Sequence, residues 1–261
     1  MVKRKLFVFS LVVLLGFLSP IKAMVSSENG VQENVPYKVG LLIAATGKYI
    51  KFIPNLIQSA KKYFLPNQDV TYFLFTDGNL EETDNVVKIY QEKRGWPYDS
   101  MMRYEIYYNA KELFKDMDYI FACDADMLFE DYVGDEILGE RVGSLHRSFI
   151  HKRGTYETRC SSLAYIAPYE GTHYFAGGFV GGTKEAFLKM AKKITENIYK
   201  DLEKNIIAVW HDESHLNRYF LDNTPTVILS PSYCFPEKEH WWKWHRRLVA
   251  LHKPDIHQLR K

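Results

Sequence analysis

The sequence predicts an α/β fold, and three observations lead there. Two apolar strings, starting near Lys38 and Val70, are separated by a segment with helical spacing. A further helical segment precedes a third apolar string, and that string ends on Asp124 and Asp126. Strand–helix–strand units pair their strands in parallel, and open parallel sheets bind ligands at the carboxyl ends of the strands. We therefore expect a nucleotide-binding first half, fused to an acceptor-binding second half in one domain over residues 38–261.

The elements of the first half follow in order. The string VGLLIAA after Lys38 is continuously apolar, as in strands buried on both faces. A helix is expected next, because apolar residues recur at its spacing: Ile53, Leu56, Ile57, Ala60 and Phe64. Residues 70–76 predict the second strand and residues 86–90 a third. Residues 100–114 predict a helix, and residues 119–123 predict the strand that carries the acids.

The second half is less regular. It contains mixed short segments, then the glycine-rich stretch FAGGFVGGT from Phe175, then an amphipathic pattern over residues 184–203. That pattern predicts a helix with one apolar stripe, which indicates core packing. A last helix is expected near Asp212, because Leu216, Tyr219 and Phe220 lie at helical spacing.

Composition sets broad limits. The 261 residues are 46% hydrophobic and 25% charged, as in ordinary globular proteins, and the net charge of +2 gives no general signal for nucleic-acid binding. The basic residues concentrate in a tail over residues 238–261, which should attract an anion. Cys123, Cys160 and Cys234 form no metal-site pattern, so we expect apolar packing and leave one disulfide open.

The amino terminus carries a targeting pattern. Basic residues followed by a short apolar run predict a signal peptide or a short signal anchor over residues 1–23. The run is shorter than the roughly 20 residues of a spanning helix, which favours cleavage, but Lys22 spoils the cleavage pattern and keeps the anchor open. Residues 24–37 predict a polar linker. The protein is therefore expected to be exported or membrane-associated.

The acid pair Asp124 and Asp126 suggests metal chemistry. Carboxylate oxygens bind Mg²⁺ or Mn²⁺, and such cations fill their other positions with water and phosphate oxygens. The alternative is an ordinary polar turn after a strand.

A second cluster, WHDESHLNRYF from Trp210, concentrates acids, imidazoles and an indole. One interpretation is a helix amino terminus, where acids are stabilised by the helix dipole. Another is a zinc-hydrolase pattern, because His211 and His215 are four residues apart. In that pattern the Glu directly follows the first His, whereas Glu213 lies two residues on, about 200° around a helix.

The acid pair, the acids beside Trp210 and the run GGFVGG from Gly177 together match the needs of a sugar transferase. A metal neutralises the departing diphosphate, and glycine backbone lets a sugar ring approach closely. A carboxylate stabilises an oxocarbenium-like carbon.

At these motifs the chain resembles family 6 glycosyltransferases, which include the histo-blood-group A and B transferases and the alpha-1,3-galactosyltransferases. The resemblance runs from about Lys38 to the carboxyl terminus. Its most specific strings are FACDADM (121–127), FVGGT (179–183), WHDESHLNRY (210–219) and LSPSYC (229–234). It implies a GT-A fold and retaining transfer of galactose or N-acetylgalactosamine from the UDP-sugar to a galactoside acceptor, forming an alpha-1,3 bond.

The resemblance also assigns residues. Glu213 matches the catalytic carboxylate, as nucleophile or electrostatic stabiliser, and also lies on the acceptor side. Asp124 and Asp126 match the site of the metal, Mn²⁺ or Mg²⁺. The donor-binding positions match Ala44, Ala45, Thr46, Tyr49, Arg103, Asp124, Ala125, Asp126, Ala176, Gly177, Gly178, Asp212, Lys253, His257 and Arg260. The acceptor-contacting positions match His146, Thr155 and Trp210.

The chain departs from the family in some features. Many bacterial members carry Asn-x-Asn and need no metal, whereas this chain keeps Asp-x-Asp, which favours metal dependence. Gly178 leaves room for an acetamido group and favours N-acetylgalactosamine. Phe235 is followed by Pro236 and Glu237 where the family has Asp, which puts the acceptor in doubt.

Three alternatives remain at this stage. The fold could serve a carbohydrate-binding protein without turnover, or a hydrolase acting on sugars through Asp212 and Glu213. The basic tail could close over UDP or lie on a membrane surface, with three aromatic anchors: Trp241, Trp242 and Trp244.

Overall fold

The computed structural model describes residues 35–80, 83–239 and 245–260. Its strands are β1 Lys38–Ala44, β2 Asp69–Thr76, β3 Val86–Tyr90, β4 Tyr119–Asp124, β5 Met127–Phe129, β6 Arg141–Leu145, β7 Phe175–Thr183, β8 Val227–Leu229, β9 Phe235–Pro236 and β10 Leu248–Ala250. Its α-helices are α1 Ile53–Tyr63, α2 Tyr98–Met101, α3 Arg103–Asn109, α4 Lys184–Leu202, α5 His211–Asp222 and α6 Ile256–Leu259.

A seven-stranded sheet in the order β3-β2-β1-β4-β7-β6-β8 forms the centre. Strands β3, β2, β1 and β4 are parallel, as the strand–helix alternation predicts, while β7 runs antiparallel to both β4 and β6. In the register, Ala44 at the end of β1 is opposite Phe75 on one side and Asp124 on the other. The carboxyl ends of β1 and β4 therefore bring Ala44 and Asp124 to one edge of the sheet.

Buried aromatic side chains hold the two halves of the sheet together. Phe121 on β4 stacks on Phe179 on β7, with ring centroids 5.6 Å apart, and both are fully buried. Each such ring contributes roughly 1.5–3 kcal/mol through burial. Gly181 lies beside Phe121, where an added Cβ would be 2.1 Å from the ring. The glycines of β7 thus serve packing against β4 as well as the site.

The prediction of one continuous helix over residues 100–114 is wrong. The structure divides it at Met102, whose φ of −96° and ψ of 11° leave the helical region, and a 3-10 turn at Lys111–Phe114 follows α3. Arg103 therefore opens a new helix at the edge of the site. The strands predicted over residues 70–76, 86–90 and 119–123 are confirmed, as is the helix over residues 184–203, within one residue at each end.

A second, small sheet in the order β5-β10-β9 attaches the carboxyl-terminal segment to the chain just after the acid pair. Strand β10 runs antiparallel to β5, and beyond it the Leu251 amide donates to the Asp126 carbonyl at 2.9 Å. The sequence analysis did not predict this sheet, because its strands have only two or three residues. It keeps the following residues, including Lys253, close to Asp126.

Several basic side chains of the tail are paired with acids. Arg246 contacts Glu130 at 2.6 Å, and Arg247 contacts Glu136 at 3.4 Å. The charge available to an anion or a membrane surface is correspondingly smaller than the sequence indicates. The predicted signal segment 1–23, most of the linker and the three tail tryptophans lie outside the described residues. Within the described part of the chain, no helix is long and apolar enough to cross a membrane.

Candidate active site

A cavity of about 200 Å³ opens where β1 and β4 end. Its walls bring together residues that are far apart in the chain, from Ala44 to Arg260. Nine of the predicted donor residues line it: Ala44, Thr46, Tyr49, Arg103, Asp124, Ala125, Asp126, Lys253 and Arg260. The carboxyl edge of the parallel strands is the expected place for a ligand.

The acid pair lies at the floor of this cavity, and each acid meets a cation. Asp124 ends β4 and contacts the Arg103 guanidinium, while Asp126 follows two residues later and contacts the Lys253 ammonium. The described residues contain no group of three or more His, Cys, Asp or Glu side chains placed to hold a metal. Two carboxylates still suit Mg²⁺ or Mn²⁺, which take one or two protein carboxylates and complete their shells with water and substrate phosphates.

Arg103 connects the acid pair to the second acidic cluster. Its Nε donates to Asp212 Oδ2 at 2.5 Å, and its Nη1 contacts Asp124 Oδ1. Burial opposes the charge of Arg103, but Asp124 and Asp212 hold its pKa well above the usual value. Asp212 is buried, which raises the pKa of its carboxyl, and Arg103 acts in the opposite direction. One guanidinium thus holds carboxylates from β4 and α5 beside each other.

Glu213 has different surroundings. It lies in the first turn of α5, where the Tyr174 hydroxyl donates to Oε1 and the Gly177 amide donates to Oε2, both at 2.8 Å. Burial raises the pKa of Glu213 to about 7, although these two hydrogen bonds favour the ionised form. The carboxylate therefore lies against β7 with both oxygens oriented.

Glycine at position 177 allows this approach. An added Cβ there would lie 3.0 Å from Arg103 Nη2 and 3.4 Å from Glu213 Oε2. An added Cβ on Gly178 would lie 3.5 Å from Asp124 Oδ2. Asp124, Arg103 and Glu213 are thus all within contact distance of the same short piece of β7, and the catalytic candidate adjoins the acid pair.

The predicted acceptor residues gather around Tyr174. The Trp210 indole Nε1 donates to Thr155 Oγ1 at 2.7 Å, and the His146 and Tyr174 rings are 5.8 Å apart. Tyr174 itself bonds to Glu213, so it links these residues to the catalytic candidate. Sequence reasoning missed Tyr174, because a tyrosine next to a strand is ordinary core composition.

Some predicted residues lie elsewhere. Ala45 is fully buried in the core, with its amide bonded to the Phe75 carbonyl, so its side chain does not reach the cavity. His257 on α6 is exposed and does not line the cavity, while Ala176 is buried in β7. Glu237, at the departure from the family pattern, is exposed and accepts from the His252 amide at 2.7 Å.

The structure adds Trp96 to the site. Its ring lies under the Arg260 guanidinium, 3.4 Å from the ring centroid, and it meets His211 edge-on at 4.7 Å. Trp96 follows Gly95 in the loop before α2, and only its position in a loop between two predicted elements hinted at a role. Further cavity residues that sequence reasoning missed are Lys93, Asp99, Ser100, Ile106, Tyr107 and Leu259.

The two histidines of the cluster have separate partners. His211 contacts Trp96, whereas His215 is buried, with Nε2 3.6 Å from Asp201 Oδ2. Burial lowers the pKa of His215 to about 4, so its ring is neutral at neutral pH. The three cysteines are free thiols, and Cys123 is buried as expected.

The mixed sheet and the edge cavity define a glycosyltransferase fold of the GT-A type, and comparison with known proteins identifies the family. The model of glycosyltransferase family 6 matches residues 29–260. The chain belongs to this family.

Several relatives are similar over most of the chain. The histo-blood group ABO system transferase 1 of Rattus norvegicus is 36% identical over 234 residues, covering 84% of this chain and 67% of the relative. The globoside alpha-1,3-N-acetylgalactosaminyltransferase 1 of Gallus gallus is 32% identical over 215 residues, 77% of this chain and 62% of the relative. The glycosyltransferase 6 domain-containing protein 1 of Mus musculus is 30% identical over 210 residues.

Proposed function

We propose that this glycosyltransferase transfers galactose or N-acetylgalactosamine from its UDP-sugar to a galactoside acceptor, with retention and with an alpha-1,3 linkage. One observation carries the proposal. Glu213 is a half-buried carboxylate held by two neutral donors, and Arg103 joins its neighbour Asp212 to the acid pair at the end of β4. A sugar whose diphosphate lies over the acid pair would place its anomeric carbon near Glu213.

The cavity is suited to a nucleoside diphosphate. Tyr49 and Trp96 offer aromatic surfaces, and Lys253 and Arg260 offer positive charge to phosphate oxygens. Arg103 supplies a third cation at the inner end. We propose that Asp124 and Asp126 hold Mn²⁺ or Mg²⁺. When bound, the metal would neutralise charge that develops on the leaving diphosphate. Lys253, which contacts Asp126 in the structure, is also chemically suited to contact that diphosphate.

The proposed reaction breaks the bond between the anomeric carbon and the diphosphate oxygen, and UDP leaves with the electron pair. The acceptor hydroxyl oxygen then bonds to the anomeric carbon on the same face, and its proton passes to the departing phosphate or to solvent. Glu213 faces the cationic carbon, either as the nucleophile of a covalent intermediate or through its charge alone. Tyr174 and Gly177 keep its oxygens fixed, which lowers the cost of reorganisation.

Donor choice is a finer part of the proposal. An added Cβ at Gly178 would lie 2.9 Å from Cys234 Sγ, so only a glycine fits at this position without displacing that side chain. We propose N-acetylgalactosamine as the favoured donor on the family resemblance alone, in which a glycine at position 178 of the donor-selecting stretch 176–178 leaves room for an acetamido group. We also propose that the protein is exported or membrane-associated, on the basis of residues 1–23. Fractionating the source cells, and sequencing the mature amino terminus, tests that part.

Incubation with Mn²⁺, either UDP-sugar and a panel of galactosides tests the function directly. We expect a new alpha-linked disaccharide, identified by NMR, with N-acetylgalactosamine as the better donor. Glu203→Gln is the matched control, because Glu203 is exposed at the end of α4. If the protein releases UDP without forming any glycoside, and Glu213→Gln leaves that release unchanged, the proposed function is wrong.

A further inference from the structure

Three alternating side chains of residues 155–159 bond to the segment that precedes α5. The Thr155 hydroxyl accepts from Trp210 Nε1 at 2.7 Å. Glu157 Oε2 accepts from the Val209 amide at 2.9 Å. Arg159 Nη2 donates to the Ile207 carbonyl at 2.6 Å. Alternate side chains of an extended chain point to the same side, so these three bonds form one row, here called the 155–159 ladder.

Glu157 is the centre of the 155–159 ladder. It is 2% exposed, and Arg159 donates to it from its amide, Nε and Nη2 at 2.8, 2.9 and 2.6 Å. With the Val209 amide, its carboxylate accepts from four donors. The Arg159 hydrogen bonds lower the pKa of Glu157 to about 2, so it stays ionised at neutral pH. A buried carboxylate with all its hydrogen bonds made holds its partners in one geometry.

The segment that the 155–159 ladder holds has no helix or strand of its own. Residues 206–210 are loop and turn, and His211, the residue after Trp210, has a φ of +54°. A non-glycine residue in this region costs about 1–3 kcal/mol and persists only where its surroundings impose it. Trp210 is 48% exposed, so core packing alone does not fix its indole. The hydrogen bonds that Trp210 and Val209 donate to Thr155 and Glu157 therefore fix the indole where packing does not.

We propose that Glu157 and Arg159 are positioning residues that set the place of the Trp210 indole and thereby the affinity for the acceptor. The proposal rests on the proposed function, in which Trp210 and Thr155 contact the acceptor sugar. The donor cavity is not involved, because none of its lining residues belongs to the 155–159 ladder or to the segment it holds. The two substrates should therefore respond differently to a change in the 155–159 ladder.

The test labels the protein with 5-fluorotryptophan and follows its ¹⁹F NMR spectrum, with the Trp210 resonance assigned through Trp210→Phe. In Glu157→Gln, whose amide presents donors toward Arg159, we expect the Trp210 resonance to shift or broaden while the Trp96 resonance stays in place. The KM for a galactoside should rise about tenfold, the effect of losing one hydrogen bond to a charged group. The kcat and the affinity for UDP should stay within about twofold.

Arg159→Lys is the second variant, since it keeps the charge but loses the fork that reaches both Glu157 and Ile207, and we expect a smaller rise in KM. Asp222→Asn is the control, because it breaks the exposed pair between Asp222 and Arg218 on α5. This variant should change neither the Trp210 resonance nor the KM for the acceptor. The proposal is overturned if Trp210 and the acceptor KM keep wild-type values in both variants. It is also overturned if the affinity for UDP falls as much as the affinity for the acceptor. The fluorine signal needs no turnover, so a wild-type protein without transferase activity would contradict the proposed function separately.

Discussion

The acid pair Asp124 and Asp126 lies beside Glu213, and the surroundings of the pair differ from those of Glu213. Asp124 and Asp126 each contact a cation, Arg103 and Lys253 respectively. Among the residues that the structure describes, Glu213 accepts hydrogen bonds only from the uncharged Tyr174 hydroxyl and the Gly177 amide, and burial raises its pKa to about 7. Carboxylates that lie beside cations, as Asp124 and Asp126 do, form a charged site that is suited to binding a charged ligand. A half-buried carboxylate whose charge is incompletely compensated is suited to stabilising a positive carbon.

Asp212 belongs to both arrangements. It is adjacent to Glu213 in sequence but contacts Arg103, as Asp124 does. The helix start of α5 therefore turns Asp212 toward Arg103 and the next acid, Glu213, toward β7. In the proposed function, this difference between neighbouring residues would let a single helical turn serve both the donor and the reacting carbon.

The largest effect is expected for Glu213→Gln, which removes the negative charge and keeps the shape. We expect kcat to fall by about 10³-fold or more, because the positive carbon loses its stabilising partner. Affinity for UDP should be unchanged, since the donor cavity is intact. Steady-state kinetics and calorimetry measure the two quantities. If the variant keeps a near wild-type kcat, the difference in surroundings between Glu213 and the acid pair has no effect on catalysis.

Arg103→Met should produce the next largest effect, on stability. It leaves Asp212, which is 2% exposed, without its cation, and breaking a buried pair in this way costs about 3 kcal/mol. Asp124 is partly exposed, so solvent reduces the contribution of its own pair with Arg103 to the loss of stability. Arg94→Met is the control, because the pair of Arg94 with Glu105 is more exposed and should cost about 1 kcal/mol or less. Urea denaturation measures both, and equal losses would contradict the bridging role.

Asp126→Asn tests whether the acid pair Asp124 and Asp126 binds a metal cation in addition to its contact with Lys253. Losing a metal ligand should cost at least as much as losing an outer-shell partner, about 10²-fold in affinity for Mn²⁺ in the presence of UDP. Calorimetry with Mn²⁺ measures this without turnover. Glu130→Gln, which disturbs only the contact with Arg246, is the control. Unchanged Mn²⁺ affinity in Asp126→Asn would remove the metal from the proposal.

The smallest expected effect is on the pH dependence of kcat/KM, which reports the pKa of Glu213. An acid is charged above its pKa, so kcat/KM should rise with pH and reach half its maximum near 7, the pKa of Glu213. Tyr174→Phe removes a donor to the charged form, which raises that pKa and moves the midpoint about one unit upward. Tyr156→Phe, whose hydroxyl bonds to the His173 carbonyl instead, should leave it in place. A midpoint that does not respond to Tyr174→Phe would exclude Glu213 as the titrating group.

The regular half of the molecule was predictable from sequence. Continuous apolar strings and helical spacing located β1, α1, β2 and β4, and the parallel arrangement then placed Asp124 at the binding edge. These signals are local and repeat along the chain. The break at Met102 was not predictable, since the pattern of residues 100–114 suits one helix as well as two.

The irregular half depends on contacts that leave no such pattern. Tyr174 bonds to Glu213 across 39 residues, and Glu157 bonds to Val209 across 52. In the sequence, nothing in the residues that flank Tyr174 or Glu157 sets either of them apart. The strings around Trp210 revealed the chemistry, but only the coordinates reveal what keeps those side chains in place.

The small sheet at the carboxyl-terminal segment has a kinetic consequence. Because Leu251 is hydrogen-bonded to the backbone of Asp126, Lys253 is held two residues from its anchor, at an effective concentration on the order of millimolar or higher. In the proposed reaction, the ammonium group would leave the acid for a phosphate of the donor and return after UDP departs, without a diffusional search. A free amine in the surrounding solution would have to be supplied at similar concentration to replace it.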